Sequence, residues 1–273
     1  MSSPGLETKS SVAAGRTHPS DGVKWTSALM GVWSLTWKNR LSLKRLPMLA
    51  ASLALIPLLA YLTIDDGLVR PYLRWVIDFY FMLVLPLYCL SVCGAMIRDE
   101  VQANTLGFLI TRPLTRAQLF SLKYVAHLIW LEIMGLAAGV LFILVGMAQE
   151  IPGIASFGAV FLGVQSLAIL SYAALSALLG LIHQRYMVLG LLYGFIIEVG
   201  IGHIPTNINN LSLSRHIRTL LGNSDLVQEL YAWSPDKTGW SILIMTGAAL
   251  FFFIVGAVIF SVREFHHNEE MQK

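Results

Sequence analysis

Charged residues are scarce in this chain of 273 residues. Only 13% of them are Asp, Glu, Lys or Arg, whereas 56% are hydrophobic. A soluble domain carries charge on about a quarter of its residues. The composition therefore excludes an ordinary water-soluble protein and indicates a polytopic membrane protein. The formal net charge of +3 is too small to indicate binding to nucleic acid.

Motifs for catalysis and for nucleotide binding are also missing. No Gly-Lys dipeptide occurs, which excludes a phosphate-binding P-loop in this chain. There is no H-E-x-x-H, no G-x-S-x-G and no Cys/His set with zinc spacing. Cys89 and Cys93 lie one helical turn apart in an apolar run, which is typical of buried packing residues. We therefore expect no cofactor or metal on this chain, and an energy source on another chain.

Long apolar runs are abundant. Six of them are long enough to cross a bilayer, which needs roughly 20 mostly apolar residues per helix. We expect an all-α membrane protein with a transmembrane domain over residues 23–263. The predicted spans lie near residues 46–64, 75–97, 124–147, 156–182, 186–204 and 239–262. The third and fifth contain Gly135-x-x-x-Gly139 and Gly190-x-x-x-Gly194, which predict close packing against other helices.

The segments outside the spans differ in character. Residues 1–22 are rich in Ser, Gly and Thr, and we expect a disordered cytoplasmic tail there rather than a signal peptide. Residues 24–45 combine tryptophans with basic residues, which favours an interfacial helix over a simple extension of the first span. The long polar stretch 205–238 is expected outside, with a short helix after Ser224, as a lid, a partner surface or a structural cap. Residues 264–273 form a second tail.

The distribution of basic residues predicts the orientation. With the N-terminus inside, fourteen of the 19 lysine and arginine residues lie in inner segments and five in outer ones. The positive-inside rule then places both termini, and the loop between the second and third spans, in the cytoplasm. That is the compartment in which ATP is found.

This loop, residues 98–123, has the pattern of an ordered helix–break–helix unit. A short amphipathic helix is expected first, and Pro113 ends it because proline lacks a backbone donor. Thr115 and Gln118 have the spacing of a capping box, so a second helix should begin there. That helix can run through Lys123 into the membrane. Ordered loops of this kind usually have a partner.

The order of residues in the loop resembles the signature of the type-2 ABC-transporter permease family. The matching residues are Glu100, Thr105-Leu106, Arg112-Pro113-Leu114-Thr115-Arg116 and Lys123. In that family an acidic residue, a G-T-L triplet, a Pro-x-Ser/Thr-Arg turn and a lysine lie between the second and third membrane helices. Here Asn104 replaces the usual glycine, and Gly107 stands where an acidic residue is common.

The resemblance implies an elbow helix before the first span and a cytoplasmic coupling helix that contacts a separate ATPase subunit. The residues implied in coupling are Glu100, Thr105, Leu106, Phe108, Leu109, Arg112, Pro113, Thr115, Arg116 and Lys123. ATP and Mg would be bound by that ATPase. Further implied partners are a second permease copy, identical or related, and the lipid bilayer. The function implied is that of an exporter's permease subunit in the plasma membrane of a bacterium or archaeon.

Ionisable residues within the predicted spans are candidates for a transport pathway, because such groups are costly in a membrane. They are Asp78, His127, Glu132, Glu198 and His203. Asp78, Glu198 and His203 lie near a membrane boundary, where solvation by water or headgroups is the alternative, and His127 lies near the inner boundary. Glu132 is the deepest, about 12 Å along its helix from the inner end. It is either a pathway residue or a neutral hydrogen-bonded one.

Two other classes of function compete with transport. One is an intramembrane enzyme that uses Glu132, His127 or Glu198 for acid–base chemistry. The other is a membrane scaffold or sensor that holds an extracytoplasmic partner through residues 205–238. Copurification of an ATPase would separate transport from both. The spans lack a dense charged lining, which favours an amphipathic cargo over a simple ion path.

Overall fold

A computed structural model of the chain describes residues 30–31, 33–34, 46–65, 67–102, 115–200, 207–228 and 237–262. The α-helices in these ranges are α1 Leu46–Thr63, α2 Val69–Arg74, α3 Leu85–Cys93, α4 Arg98–Gln102, α5 Arg116–Ala148, α6 Ile154–Ile182, α7 Tyr186–Tyr193, α8 Leu213–Leu221, α9 Asp225–Gln228 and α10 Thr238–Val262. A first π segment, Trp75–Val84, joins α2 to α3, and a second, Gly194–Gly200, continues α7. A 3₁₀ turn covers Asn207–Leu211.

Four helical stretches are long and apolar enough to cross a membrane. They are Val69–Glu100, α5, α6 and α10, and they lie at the predicted second, third, fourth and sixth spans. Shorter apolar helices, Ala54–Thr63 and Tyr186–Glu198, lie at the predicted first and fifth spans. Within the described residues the all-helical fold is thus confirmed, with four candidate membrane spans, and the other two spans stay predictions.

The predicted elbow and coupling helices fall mostly outside the described residues. Of the interfacial helix expected over 24–45, only residues 30–31 and 33–34 are described, and they are helical. Of the loop 98–123, the structure describes α4 and everything from residue 115 onward. Both helices therefore stay predictions.

Helix α6 is central to the bundle and packs against α5, α10 and α3. Two glycines of α5 allow it to pack closely against α6, as their spacing predicted. A Cβ atom at Gly135 would lie 2.4 Å from Ile169 Cδ1, and one at Gly139 would lie 2.6 Å from Leu162 Cδ2. The second glycine pair is used only at Gly190, where a Cβ would lie 2.3 Å from Leu90 Cδ2.

Two helices are locally widened into π geometry, which is rare and frequently found at functional sites. The hydrogen bonding typical of a π-helix, from an N–H to the carbonyl five residues before it, continues to Leu85, whose N–H donates to Tyr80 O. Pro86 follows at once and has no N–H to donate. The helix is therefore irregular at the level of Pro86.

Gln149 lies in the turn between α5 and α6 and holds the end of α1. Its side chain is fully buried, and its amide Nε2 donates to Ile64 O at 2.7 Å and to Tyr61 O at 3.3 Å. Gly67 N–H donates to Gln149 O at 2.9 Å. The last carbonyls of a helix have no partner inside the helix. Gln149 supplies one for α1.

The polar stretch predicted outside is partly helical. Helix α9 lies where a short helix was predicted, but α8 was not predicted. Ser212 caps α8 by accepting from Arg215 N–H, and the helix buries Leu213, Ile217 and Leu220. Helix α8 packs on α10 and α6.

Candidate functional site

The ends of the helices that bracket the predicted coupling loop are joined by an ion pair. Lys123 on α5 lies 2.5 Å, Nζ to Oε1, from Glu100 on α4, and its Nζ also donates to Met96 O at 3.3 Å. The lysine is only 6% exposed. A buried ammonium group is costly unless it is paired and hydrogen-bonded. The pair therefore fixes the second span against the third at the base of the loop.

The start of α5 is fixed locally by the capping box that the sequence predicted. Gln118 N–H donates to Thr115 Oγ1 at 3.2 Å, and Thr115 N–H donates to Gln118 Oε1 at 2.9 Å. Thr115 is extended, with φ −69° and ψ 156°, as an N-cap residue should be. Arg116 is the first residue of the helix. The loop thus re-enters the bundle at a defined residue.

A close crossing of two backbones lies beside the ion pair. A Cβ atom at Gly180 of α6 would lie 2.1 Å from Gly94 O, so only glycine fits there. Arg98 is buried at this crossing, and its Nε donates to Gly180 O at 2.9 Å. The fourth span is thereby joined to the same end of Val69–Glu100 that holds Glu100. Gly94, Arg98 and Gly180 were not among the site residues predicted from the sequence.

The other predicted coupling residues belong to the middle of the loop. These residues, Thr105, Leu106, Phe108, Leu109, Arg112 and Pro113, lie outside the described part of the chain. Of the described ones, Glu100 and Lys123 are in contact, while Thr115 and Arg116 begin α5. The structure therefore describes the base of the loop.

The predicted pathway residues do not form one cluster. Glu132 is half-buried on α5, hydrogen-bonds Ser166 of α6, and lines neither of the two larger cavities formed by the described residues. His127 Nδ1 lies 2.8 Å from Lys123 O, within its own helix. His203 lies outside the described residues.

Glu198 is engaged at the start of α8. Its Oε1 accepts from Tyr193 O–H at 2.9 Å and from Leu213 N–H at 3.2 Å. Its Oε2 accepts from Ser212 O–H at 2.7 Å and from Ser214 N–H at 2.8 Å. A carboxylate at a helix N-terminus is favourable because the free N–H groups and the helix dipole both stabilise negative charge. Glu198 therefore caps α8.

Helix α8 is also bound to two other helices. Arg218 faces Asp78 of the first π segment with 3.5 Å between Nη2 and Oδ1. His216 is fully buried, with Nδ1 3.1 Å from Ser241 Oγ of α10. Two predicted pathway residues, Asp78 and Glu198, thus meet at α8.

A cavity of about 160 Å³ is bordered in part by this helix. Its lining comes from both π segments and from α3, α6, α7 and α8. Apolar side chains form most of the wall, and Glu198, Ser214 and Arg218 are among its polar residues. A second cavity, of about 610 Å³, lies between α1, the first π segment, α3 and α5, and its lining is almost wholly apolar.

These features define a polytopic helical membrane protein whose second, third and fourth spans are joined at one end. The model of the ABC-2 family transporter proteins matches residues 37–202, more than half of the chain. The chain belongs to the ABC-2 transporter family. Members of this family are membrane components and not ATPases themselves, and membership implies an ABC ATPase partner. No curated protein matches the chain significantly.

Proposed function

We propose that the chain is the permease subunit of an ABC exporter, driven by a separate ATPase that docks on residues 100–112. The observation that supports this most directly is the Glu100–Lys123 ion pair at the base of that loop, within the part of the chain that matches the family. A coupling loop must transmit the movement of the ATPase into the membrane-spanning helices. Because the two ends of this loop are joined, the movement would reach the second and third spans together.

Two roles follow for the residues of the loop. Leu106, Phe108 and Leu109 would form the apolar contact with the ATPase, as the resemblance implies. Glu100 would act through Lys123, holding the loop in position, because its carboxylate already has a cationic partner 2.5 Å away. ATPase closure would then move Val69–Glu100 and α5 together. The Arg98–Gly180 hydrogen bond extends this movement to α6.

The assembly we propose contains two permease copies, identical or related, and two ATPases that bind ATP and Mg. It lies in the plasma membrane with both termini in the cytoplasm. The scaffold alternative gains no support from α8, because this helix is engaged with Asp78, Glu198 and Ser241 of its own chain.

The test is a mild-detergent pull-down of the tagged chain, with ATPase activity measured on the eluate. Glu100→Arg leaves Lys123 buried beside a second positive charge. Removing one partner of such a pair costs about 3–5 kcal/mol. We expect at least a tenfold loss of the copurified ATPase activity. Asp99→Arg makes the same change of charge at the exposed neighbouring residue, and it should keep the activity.

A charge swap separates coupling from folding. The double variant Glu100→Lys, Lys123→Glu restores the pair and should recover much of the activity. Normal copurification and activity in Glu100→Arg would refute the positioning role of Glu100. A wild-type chain that purifies without any nucleotide-hydrolysing subunit would refute the proposed function.

A further inference from the structure

The 610 Å³ cavity is lined by uncharged and mostly apolar side chains. They come from α1, the first π segment, α3 and α5, with one residue each from α6 and α7. The described residues on this wall include no Asp, Glu, Lys, Arg or His, whereas Glu198 and Arg218 line the smaller cavity. A charged ligand would lose its hydration here without gaining a partner, which is costly. The wall therefore favours an uncharged molecule.

One buried hydroxyl on this wall is not used within the chain. Tyr80 lies on the first π segment, is only 5% exposed and lines the cavity. Its hydroxyl makes no hydrogen bond to the other described residues, and protein atoms do not enclose it on all sides. The hydroxyl therefore opens onto the cavity. The Ser91 hydroxyl, also on the wall, already donates to Tyr88 O at 2.8 Å.

The free hydroxyl indicates what kind of uncharged molecule the cavity takes. A polar group surrounded by hydrocarbon is costly when it has no partner. The acyl chain of a phospholipid would leave Tyr80 in that state. A ligand with a hydroxyl or carbonyl oxygen would supply the partner, because a tyrosine hydroxyl can both donate and accept.

Tyr80 lies toward one end of an elongated cavity. Ser91 is 11 residues further along the same helical stretch, roughly 16 Å at 1.5 Å per residue. Helix α5 gives the same order, since the ring of Phe142 lies 4.7 Å from that of Tyr80 and Met134 lies about two turns away. The oxygen of the ligand and its hydrocarbon body therefore have separate places.

The cavity opens at the side of the bundle. Leu83 and Met187 line it and are 46% and 41% exposed. Leu83 belongs to the spanning stretch Val69–Glu100, and Met187 belongs to the apolar helix Tyr186–Glu198. A surface between two such stretches faces lipid or another membrane helix. A lipid can therefore enter from the bilayer without crossing water.

The volume fits a lipid chain rather than a small group. A cavity of about 150 Å³ holds one benzene-sized molecule, and this cavity has roughly four times that volume. We propose that it binds an uncharged lipid with a hydroxyl or carbonyl head, such as a long-chain alcohol. The head oxygen bonds the Tyr80 hydroxyl, and the hydrocarbon body extends past Phe142 toward Met134 and Ser91.

This inference goes beyond the proposed transport function and does not depend on an ATPase. It assigns a ligand class to a cavity whose lining residues all belong to the permease chain. Binding can therefore be measured on that chain alone.

The experiment uses the full chain in phosphatidylcholine nanodiscs and two photoactivatable forms of hexadecanol. One has a diazirine beside the hydroxyl and should label the Tyr80 end, at Phe142 or Leu83. The other has the diazirine at the end of its chain and should label Met134 or Ser91. Labels found only outside the cavity, or the same labels from both probes, would overturn the proposal.

Unlabelled competitors identify the head group. Hexadecanol should compete about fivefold better than hexadecane, which has the same chain without the oxygen, as expected for one net hydrogen bond. It should also compete better than the permanently charged hexadecyl sulfate and hexadecyltrimethylammonium. Equal competition by hexadecane would mean that any acyl chain fills the cavity, and stronger competition by either charged chain would mean that the wall does not exclude charge. Both results would overturn the assignment.

A variant without the hydroxyl tests its role apart from folding. Tyr80→Phe keeps the ring that packs on Phe142, and in this variant hexadecanol and hexadecane should compete equally. A merely structural tyrosine would leave the preference for the alcohol unchanged. Tyr61→Phe is the matched control and should keep that preference, because Tyr61 is exposed on α1 and does not line the cavity.

A larger side chain on the wall tests the place of binding. Met134→Trp enlarges a half-buried residue that lines the cavity, and it should reduce labelling at least about fivefold because a filled site resists overpacking. Met147→Trp makes the same change on the same helix, at a residue that is 48% exposed and does not line the cavity. It should leave labelling unchanged.

The variants decide the proposal. An unchanged preference for hexadecanol in Tyr80→Phe would overturn it, and so would equal labelling in Met134→Trp and Met147→Trp. Loss of the preference in Tyr61→Phe would also overturn it, because the hydroxyl of Tyr80 would then not be its cause. None of these results bears on the ATPase pull-down, so this proposal and the transport function can fail separately.

Discussion

Glu100 and Glu198 lie at opposite ends of the helical bundle, and their carboxylates are bound in different ways. Glu100 is paired with an opposite charge, Lys123, from a different helix. Glu198 is bound by four neutral donors, from Tyr193 and from the start of α8. Asp78, which faces the α8 end, and Glu100 are 22 residues apart on Val69–Glu100, roughly 33 Å at 1.5 Å per residue.

Because the carboxylates are bound differently, each end tolerates different changes of charge. The charges of an ion pair can be exchanged and still join the same helices, at the cost of the hydrogen bond that Lys123 Nζ donates to Met96 O. A cap on a helix N-terminus accepts negative charge only, because the N–H groups cannot be reversed. We therefore expect the Glu100 end to tolerate a charge swap, and the Glu198 end to be destabilised when its negative charge is removed.

The largest effect should come from the backbone crossing at the Glu100 end. Gly180→Ala places a Cβ atom 2.1 Å from Gly94 O, and backbone atoms cannot move aside as a side chain can. We expect the free energy of unfolding to fall by at least about 3 kcal/mol, the upper range for overpacked sites. Unfolding in mixed detergent, followed by tryptophan fluorescence, measures it.

The matched control for this change is on the same helix. Gly163→Ala meets nothing within 4 Å and should leave stability unchanged or slightly improved, since alanine favours the helix. Equal stability of the Gly180 and Gly163 variants would show that the two spans are not in contact at Gly94.

A smaller effect should come from the α8 end. Glu198→Gln keeps the shape but turns one acceptor oxygen into a donor, which then faces two donors of the cap. We expect a loss of about 2 kcal/mol, within the range for hydrogen bonds to a charged group. Faster proteolysis within residues 207–221 reports it, and Glu150→Gln, at an exposed turn residue, is the control. Unaltered protease resistance would argue against the cap.

The smallest effect should come from the capping box. Thr115→Ala removes the acceptor for Gln118 N–H and should cost about 1 kcal/mol. Hydrogen exchange at the first amides of α5 should become faster, while Thr115→Ser, which keeps the hydroxyl, should leave it unchanged. Fast exchange in both variants would mean that α5 does not begin at Thr115.

Features whose sequence motif spans only a few neighbouring residues were predicted correctly. The capping box at Thr115 and Gln118 lies within four residues, and the Gly135–Gly139 face within one helical turn and a half. Helix α8 could also have been predicted from the sequence, because Leu213, Ile217 and Leu220 have helical spacing and follow Ser212, a residue typical of an N-cap. It was missed because the stretch is polar overall.

The features that were not predicted depend on contacts between residues far apart in the chain. Gly94 and Gly180 are separated by 86 positions, and Gly94 has no small residue four positions before or after it. Glu198 appeared as a candidate pathway residue because an acid in an apolar run is costly. Its four donors become visible only when the chain folds back at Ser212. The family signature predicted the class of protein, because the loop 98–123 contains its residues in order.

The buried amide of Gln149 has a consequence for the outer surface of the bundle. It binds the carbonyls of Tyr61 and Ile64, so the end of α1 has a fixed rotation about its own axis. Leu55, Leu58 and Leu62 are exposed on that helix. Their apolar stripe therefore has a set direction. A single polar side chain inside the protein thus orients a surface that meets either lipid or a neighbouring subunit.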